Sequence, residues 1–136
     1  MTQMKRIFVV DDDQQVLKYL TEMLQEAGYD TVACDRYQDA KALLSTTRPD
    51  LLLTDIRLGA YNGLQLGIYA RDHHPGLPVI VLTGYEDPTL RDEAKHAGAL
   101  FLMKPITRAV LLAAISKALL VGTDDEGSEL TQKGRN

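Results

Sequence analysis

Five side chains of the kinds that phosphoryl chemistry uses stand at the ends of short apolar runs in this chain. Asp11 and Asp12 follow RIFVV, Asp55 closes PDLLLTD, Thr83 follows PVIVL, and Lys104 follows LFLM. Taken singly, each has an ordinary explanation. A strand-end Asp is often a helix N-cap or loop acid, a Thr can bond backbone, and a Lys can be a solvated cation. Taken together at one crevice, three carboxylates would disfavour their own joint ionisation. A hard divalent cation removes that conflict, and a sparse carboxylate set that leaves waters in place suits Mg²⁺. The His and Cys ligands of a softer site are not at these positions. With a metal beside it, Asp55 could attack a phosphoryl group. Mg²⁺ and the Lys104 ammonium would then neutralise charge on the transferring oxygens, and the Thr83 hydroxyl could donate to one of them.

Bringing these residues to one edge demands particular elements. Short apolar runs between breakers predict buried strands at Arg6 to Val10, Leu51 to Asp55, Pro78 to Leu82 and Leu100 to Met103, with a further short strand at Asp30 to Cys34. Apolar residues at helical spacing predict a helix over Gln14 to Ala27, with Val16, Leu20, Met23, Leu24 and Ala27 inward and Gly28 closing it. A second helix runs from Arg36 to Ser45 with Ala40, Leu43 and Leu44 inward. A third starts at Asn62 or Gly63 and ends near His73, before His74-Pro75-Gly76. Asp87-Pro88 reads as N-cap and N1 of a fourth. Thr107 caps a fifth, carrying Val110, Leu111, Ala114, Ile115, Ala118 and Leu119 inward.

Strict alternation of strand and helix predicts a parallel sheet covered on both faces, with right-handed crossovers. All strand C-termini then share one edge, where open α/β sheets hold their ligands. The fold class is α/β: a flavodoxin-like, doubly wound five-stranded parallel sheet of order 2-1-3-4-5 with five helices. One domain is expected over 1–121. Residues 122–136 are polar and aperiodic, and are expected as a disordered tail rather than an element.

Composition sets the outer limits. A chain of 136 residues supports one domain with a sizeable core. No apolar stretch approaches the length of a membrane span, and the N-terminus carries no signal-peptide core. The single Cys34 excludes a disulfide framework and fits a reducing compartment as a buried structural thiol. A net charge of −4 with scattered basic residues argues against nucleic acid as a direct partner. The expected location is cytoplasmic.

The acid pair in VVDDD, the acid in LLLTDIRLGAYNG, the hydroxyl in VIVLTG and the cation in FLMKP occur in order on successive strands. In these motifs, over about Lys5 to Val121, the chain resembles the CheY-like receiver domains of bacterial two-component response regulators, whose namesake has the flavodoxin-like fold. The resemblance implies a phosphoacceptor switch that is regulatory rather than a metabolic enzyme. Asp12 would ligate Mg²⁺ directly, Asp11 mainly through water, Asp55 through its side chain while accepting the phosphoryl group, and Arg57 through its backbone carbonyl. Asp13 is read as the start of the first helix instead. Thr83 and Phe101 would form the switch, for which plain core packing of Phe101 is the even alternative. Pro105 would follow a cis bond, which raises a prior of about 5–6%. The phosphodonor would be a sensor histidine kinase or a histidine phosphotransfer protein. The output would be an unnamed partner docking on the fourth helix, fifth strand and fifth helix, with homodimerisation on phosphorylation an allowed outcome.

Leu58-Gly59 departs from the Met-Pro usual in that family, so the loop after Asp55 loses a fixed φ and is expected to be more mobile. Arg57 and Tyr85 hold positions that modulate rates in the family. Three rivals fit less well. An aspartate-nucleophile phosphotransferase of the haloacid dehalogenase type needs a second acid that Asp55-Ile56-Arg57 lacks. A flavin-binding module would present three Asp residues to a phosphate dianion. A degenerate receiver would leave chemical positions empty, and here all are filled. Either the chain is a stand-alone receiver that signals by docking, or it is a piece of something longer.

Overall fold

The computed structural model describes residues 4–128. Its strands are β1 (Arg6–Val10), β2 (Asp30–Cys34), β3 (Leu51–Asp55), β4 (Arg57–Leu58), β5 (Tyr61–Asn62), β6 (Val79–Thr83) and β7 (Ala99–Met103). The helices are α1 (Gln14–Glu26), α2 (Tyr37–Leu44), α3 (Gly63–His73), α4 (Pro88–His96) and α5 (Arg108–Ser128). Five of the strands form one parallel sheet of order β2-β1-β3-β6-β7, which is the flavodoxin-like order expected. The two-residue strands β4 and β5 make a separate antiparallel ladder.

Period-two alternation divides the core into two layers. Ile7, Val9, Leu51, Leu53, Ile80 and Leu82 pack with residues of α1 and α5. Phe8, Val10, Leu52, Val79, Val81 and Phe101 pack with Ala40, Leu44, Leu66, Ala70 and Ala94, from α2, α3 and α4. Every residue of β3 and β6 is buried, because these central strands are covered on both faces.

Helix starts follow the capping chemistry visible in the sequence. Asp13 caps α1, its carboxylate accepting from the Gln15 and Val16 amides. Asp87 caps α4 ahead of Pro88, and the Thr107 hydroxyl accepts from the Val110 amide at 3.2 Å. Asn62 and Gln65 form a reciprocal capping box on α3.

Several expectations need correction. On α1, Leu17 is buried together with the expected Leu20, Met23 and Leu24, Val16 is half-buried against the same cluster, and only Ala27, the C-cap, is exposed. On α2 and α5, Leu43 and Val110 face outward, because a helix against a sheet buries a narrower stripe than its apolar residues would allow. The fifth helix is continuous to Ser128, past the boundary expected at residue 121. Once a packed helix exists, adding a residue fixes one more φ/ψ pair for one more hydrogen bond, so polar residues continue it. The rest of the expected tail, 129–136, lies outside the described residues. No helix among the described residues is long and apolar enough to cross a membrane.

Candidate functional site

The parallel sheet delivers the expected residues to one edge. The carboxylates of Asp11, Asp12 and Asp55 offer oxygens that all lie within 4.8 Å of one another. Asp11 and Asp55 are buried, whereas Asp12 is exposed at the rim. This all-carboxylate, hard-oxygen donor set fits a divalent cation such as Mg²⁺.

Asp11 is oriented by the start of α1: the Asp13 amide donates to its Oδ1 at 2.9 Å. Lys104 reaches in from the end of β7, where its amide donates to the Thr83 carbonyl at 2.7 Å. Its Nζ lies 2.7 Å from Asp55 Oδ1 and 3.5 Å from Asp11 Oδ2. The following Lys104–Pro105 bond is cis. Burial alone would lower the Lys104 pKa, but the hydrogen bond to Asp55 and the charges of Asp11 and Asp55 outweigh it, and the net direction is up. The group is an ammonium ion throughout the neutral range.

Burial pushes the Asp11 carboxyl above the ordinary carboxylate value, and the Asp55 charge adds to the rise; the Asp13 amide and Lys104 oppose it. A raised folded-state pKa means that the carboxyl favours the fold when protonated, and that this contribution is lost as pH rises through the folded value. Asp11→Asn is therefore expected to raise the denaturation midpoint of the metal-free protein at pH 7. The gain should shrink as the pH falls toward the carboxylate range, where parent and variant are both neutral at this position. Urea melts at several pH values check this. A variant less stable than the parent at pH 7 would contradict it.

Thr83 is fully buried, and its hydroxyl donates to the Tyr85 carbonyl at 3.1 Å and receives the Tyr85 amide at 3.4 Å. Phe101 lies on the same face of the sheet: it pairs with Val81, two residues before Thr83. The Phe101 ring is only 6% exposed and packs in the core. Its cover is the Arg91 guanidinium, 4.9 Å from the ring centroid. Arg91 is in turn held by both carboxylate oxygens of Glu86, at 2.8 and 3.0 Å. Across the mouth of the site, the Arg57 guanidinium sits 4.8 Å from the centroid of Tyr85. With Asp55, Ile56, Gly84 and Lys104, these two residues line a cleft of about 280 Å³.

The loop after Asp55 forms a short hairpin. Its β4–β5 ladder turns at Gly59-Ala60, with Gly59 at φ +66° and Ala60 outside positive φ. That is the φ pattern of a type II′ hairpin turn, and a proline could not adopt it. At the far end, α3 closes tightly on the site. A Cβ on Gly63 would stand 2.0 Å from the Asp55 carbonyl oxygen and 2.8 Å from Thr54 Oγ1. Sequence reasoning marks Gly63 only as a helix start, and the one available signal is a Gly directly after an N-cap Asn.

Cys34 is buried, and burial followed by the nearby Asp39 and Asp35 charges pushes its thiol up to about 11, so it is an inert structural thiol.

The response regulator receiver domain family matches residues 7–116. The transcriptional regulatory protein GlrR of Escherichia coli (strain K12) is 32% identical over 114 residues, 83% of this chain and 26% of that protein. The DNA-binding transcriptional regulator NtrC of Salmonella typhimurium is also 32% identical over 114 residues, 83% of this chain and 24% of that protein. The chain thus spans about a quarter of the length of these curated relatives. Among solved structures, a CheY-like response regulator receiver domain protein from Methanospirillum hungatei JF-1 superposes with a TM-score of 0.86 at 29% identity, covering 90% of this chain and 99% of that one. Nothing in these likenesses supports an enzyme of the haloacid dehalogenase type. The acid cluster, the sheet that assembles it and a match over most of the chain converge: this chain belongs to the receiver domains of two-component response regulators, a phosphoacceptor switch in signalling and not a metabolic enzyme.

Proposed function

We propose that Asp55 is the phosphoacceptor and that it takes the phosphoryl group from a phosphohistidine of a sensor histidine kinase or a histidine phosphotransfer protein. The observation that carries this reading is the geometry around Asp55: a buried carboxylate ending the central strand, 2.7 Å from an ammonium and clustered with two further acids. An Asp55 oxygen attacks phosphorus, the N–P bond breaks, and the histidine nitrogen leaves with its electron pair. Lys104 turns from the carboxylate to the incoming phosphoryl oxygens. Asp11, Asp12, Asp55 and the Arg57 carbonyl would hold Mg²⁺, which supplies charge neutralisation on those oxygens. Intact mass after exposure to acetyl phosphate with Mg²⁺ tests the reading: one phosphoryl mass is expected, and none would overturn it.

The cation reading has its own check. Mg²⁺ binding only the folded chain should stabilise it by about 2.7 kcal/mol at a hundredfold excess over Kd. Asp12→Ala should remove most of the associated rise in Tm. An Mg²⁺-independent Tm in the parent would contradict a shared site.

In the same reading Thr83 is the sensor. To donate to a phosphoryl oxygen its hydroxyl must leave the Tyr85 carbonyl, and the released Gly84-Tyr85-Glu86 loop leads directly into α4. Glu86 carries Arg91, and Arg91 covers Phe101, so the change propagates to the side made by α4, β7 and α5. Leu100, Val110, Leu120 and Val121 are exposed on β7 and α5 and offer apolar area to an output partner or, after phosphorylation, to a second copy. Thr83→Ala should still be labelled on Asp55 but lose the response. Hydrogen exchange with and without beryllofluoride should change over Tyr85 to Lys117 in the parent and not in this variant. Silence of that region in the parent would exclude it as the output. The receiver unit is taken as residues 1–121, with 122–136 outside it, and the location as cytoplasmic.

A further inference from the structure

We propose that Tyr61, clamped onto α2 by Tyr37 and Gln38, is a positioning residue that sets how well the loop after Asp55 receives its cation. The proposal rests on the reading above in which the Arg57 carbonyl lends itself to Mg²⁺.

Only the ends of this loop are tied to the sheet and to each other. The Ile56 amide donates to the Leu82 carbonyl at 2.8 Å, and the Gly63 amide donates to the Ile56 carbonyl at 2.8 Å. Between them Arg57 pairs with Asn62, and Leu58 with Tyr61. In an antiparallel ladder hydrogen-bonded and non-bonded pairs alternate. Because the Gly63–Ile56 bond flanks it, Arg57–Asn62 is a non-bonded pair, and the Arg57 carbonyl faces away from the ladder. The Asn62 amide goes elsewhere, to Gln65 Oε1 at 3.1 Å. The hairpin thus presents that carbonyl instead of using it.

A two-residue ladder does not hold itself in water, so something else fixes its pose. Tyr61 stacks on Tyr37 with centroids 4.3 Å apart and planes 10° from parallel. The Gln38 Nε2 donates to its hydroxyl at 3.1 Å. Tyr61 is still 43% exposed, so it contributes little to the core. Its contacts join the loop to α2, an element that supplies none of the site's own groups. Leu58, across the ladder, is buried, which gives the loop a second point of attachment. Gly59 stands where the family usually has a proline with its fixed φ, and here the Tyr61 stack and the buried Leu58 hold the loop from outside instead.

The experiment measures Mg²⁺ affinity by titration calorimetry and the labelling rate with acetyl phosphate at subsaturating and saturating Mg²⁺. Tyr61→Ala is expected to weaken Mg²⁺ binding by about fivefold, the scale of one lost aromatic pair. The labelling deficit should be recovered largely at saturating Mg²⁺, and the urea midpoint should stay close to the parent's. Tyr61→Phe, which keeps the stack, should bind within about twofold of the parent. Tyr37→Ala should reproduce the Tyr61→Ala loss, and the double variant should be no worse than either single one. If Tyr61→Ala does not fold, Tyr37→Ala carries the same expectation from the other side of the stack. Parent-like Mg²⁺ affinity in these Ala variants would overturn the clamp while leaving the acceptor reading intact, and an equal loss in Tyr61→Phe would overturn the stack as its working part, since that variant removes only the hydroxyl that Gln38 holds. A parent that neither binds Mg²⁺ nor is labelled would overturn the acceptor reading, and the clamp with it.

Discussion

Asp55→Asn should gain no phosphoryl mass under conditions in which the parent gains one. The substitution is nearly isosteric, so the expected loss is chemical and not structural. An amide oxygen is a far weaker nucleophile than a carboxylate, and the variant also surrenders one of the three charges that gather a cation. Asp11 and Asp12 remain, yet neither substitutes for it: Asp11 is held by the Asp13 amide and by Lys104, and Asp12 is exposed at the rim. Undiminished labelling of the Asn variant would show that another group accepts the phosphoryl. The fold should survive, since Asn retains an oxygen for the Lys104 ammonium.

Gly63→Ala should be the most damaging small substitution near the site. In a helix a Gly-to-Ala change ordinarily gains up to about 1 kcal/mol. Here the new methyl would stand 2.0 Å from the Asp55 carbonyl oxygen and 2.8 Å from Thr54 Oγ1, and the first of these is backbone that cannot turn aside. Either α3 retreats from the sheet or β3 bends at its end, and overpacking of this kind costs about 1–3 kcal/mol. Because the displaced carbonyl belongs to Asp55, labelling should slow even in the folded fraction. Urea unfolding together with labelling per folded molecule measures both effects. A stabilised variant with parent-like labelling would show that the close approach is not rigid. Gly67, one turn on, meets Val79 Cγ1 at 2.9 Å, but a side-chain methyl can yield where a carbonyl cannot.

The strands were legible because two-sided burial leaves a plain mark: Leu51-Leu52-Leu53 and Val79-Ile80-Val81 have no polar face to disguise them. The chemical residues were legible for a related reason, since a parallel sheet sends every strand end the same way. Once Asp11, Asp55, Thr83 and Lys104 were assigned to strand ends, their convergence followed. The outward turn of Val110 and Leu43 was not legible, because an apolar side chain is permitted on either side of a helix and only the neighbouring elements decide. Nor was the β4–β5 ladder. Gly59 read as the loss of a proline, whereas its positive φ is what closes the hairpin. The Tyr37–Tyr61 stack joins residues with no periodic relation along the chain. The Arg91 cover over Phe101 likewise depends on a tertiary meeting that spacing does not encode.

The Lys104 ammonium between Asp55 and Asp11 gives the resting site a character of its own. A cleft with three free carboxylates would be a bare chelator, seizing whatever divalent ion passed. This one already contains its counter-ion, tethered by a side chain. On the proposed reading, cation uptake would be an exchange reaction, with the ammonium giving up part of its hold on Asp55 as a second positive charge settles nearby. The tether would keep the displaced ammonium within reach, so that if Asp55 is the acceptor the same ammonium meets the added negative charge without a diffusive search.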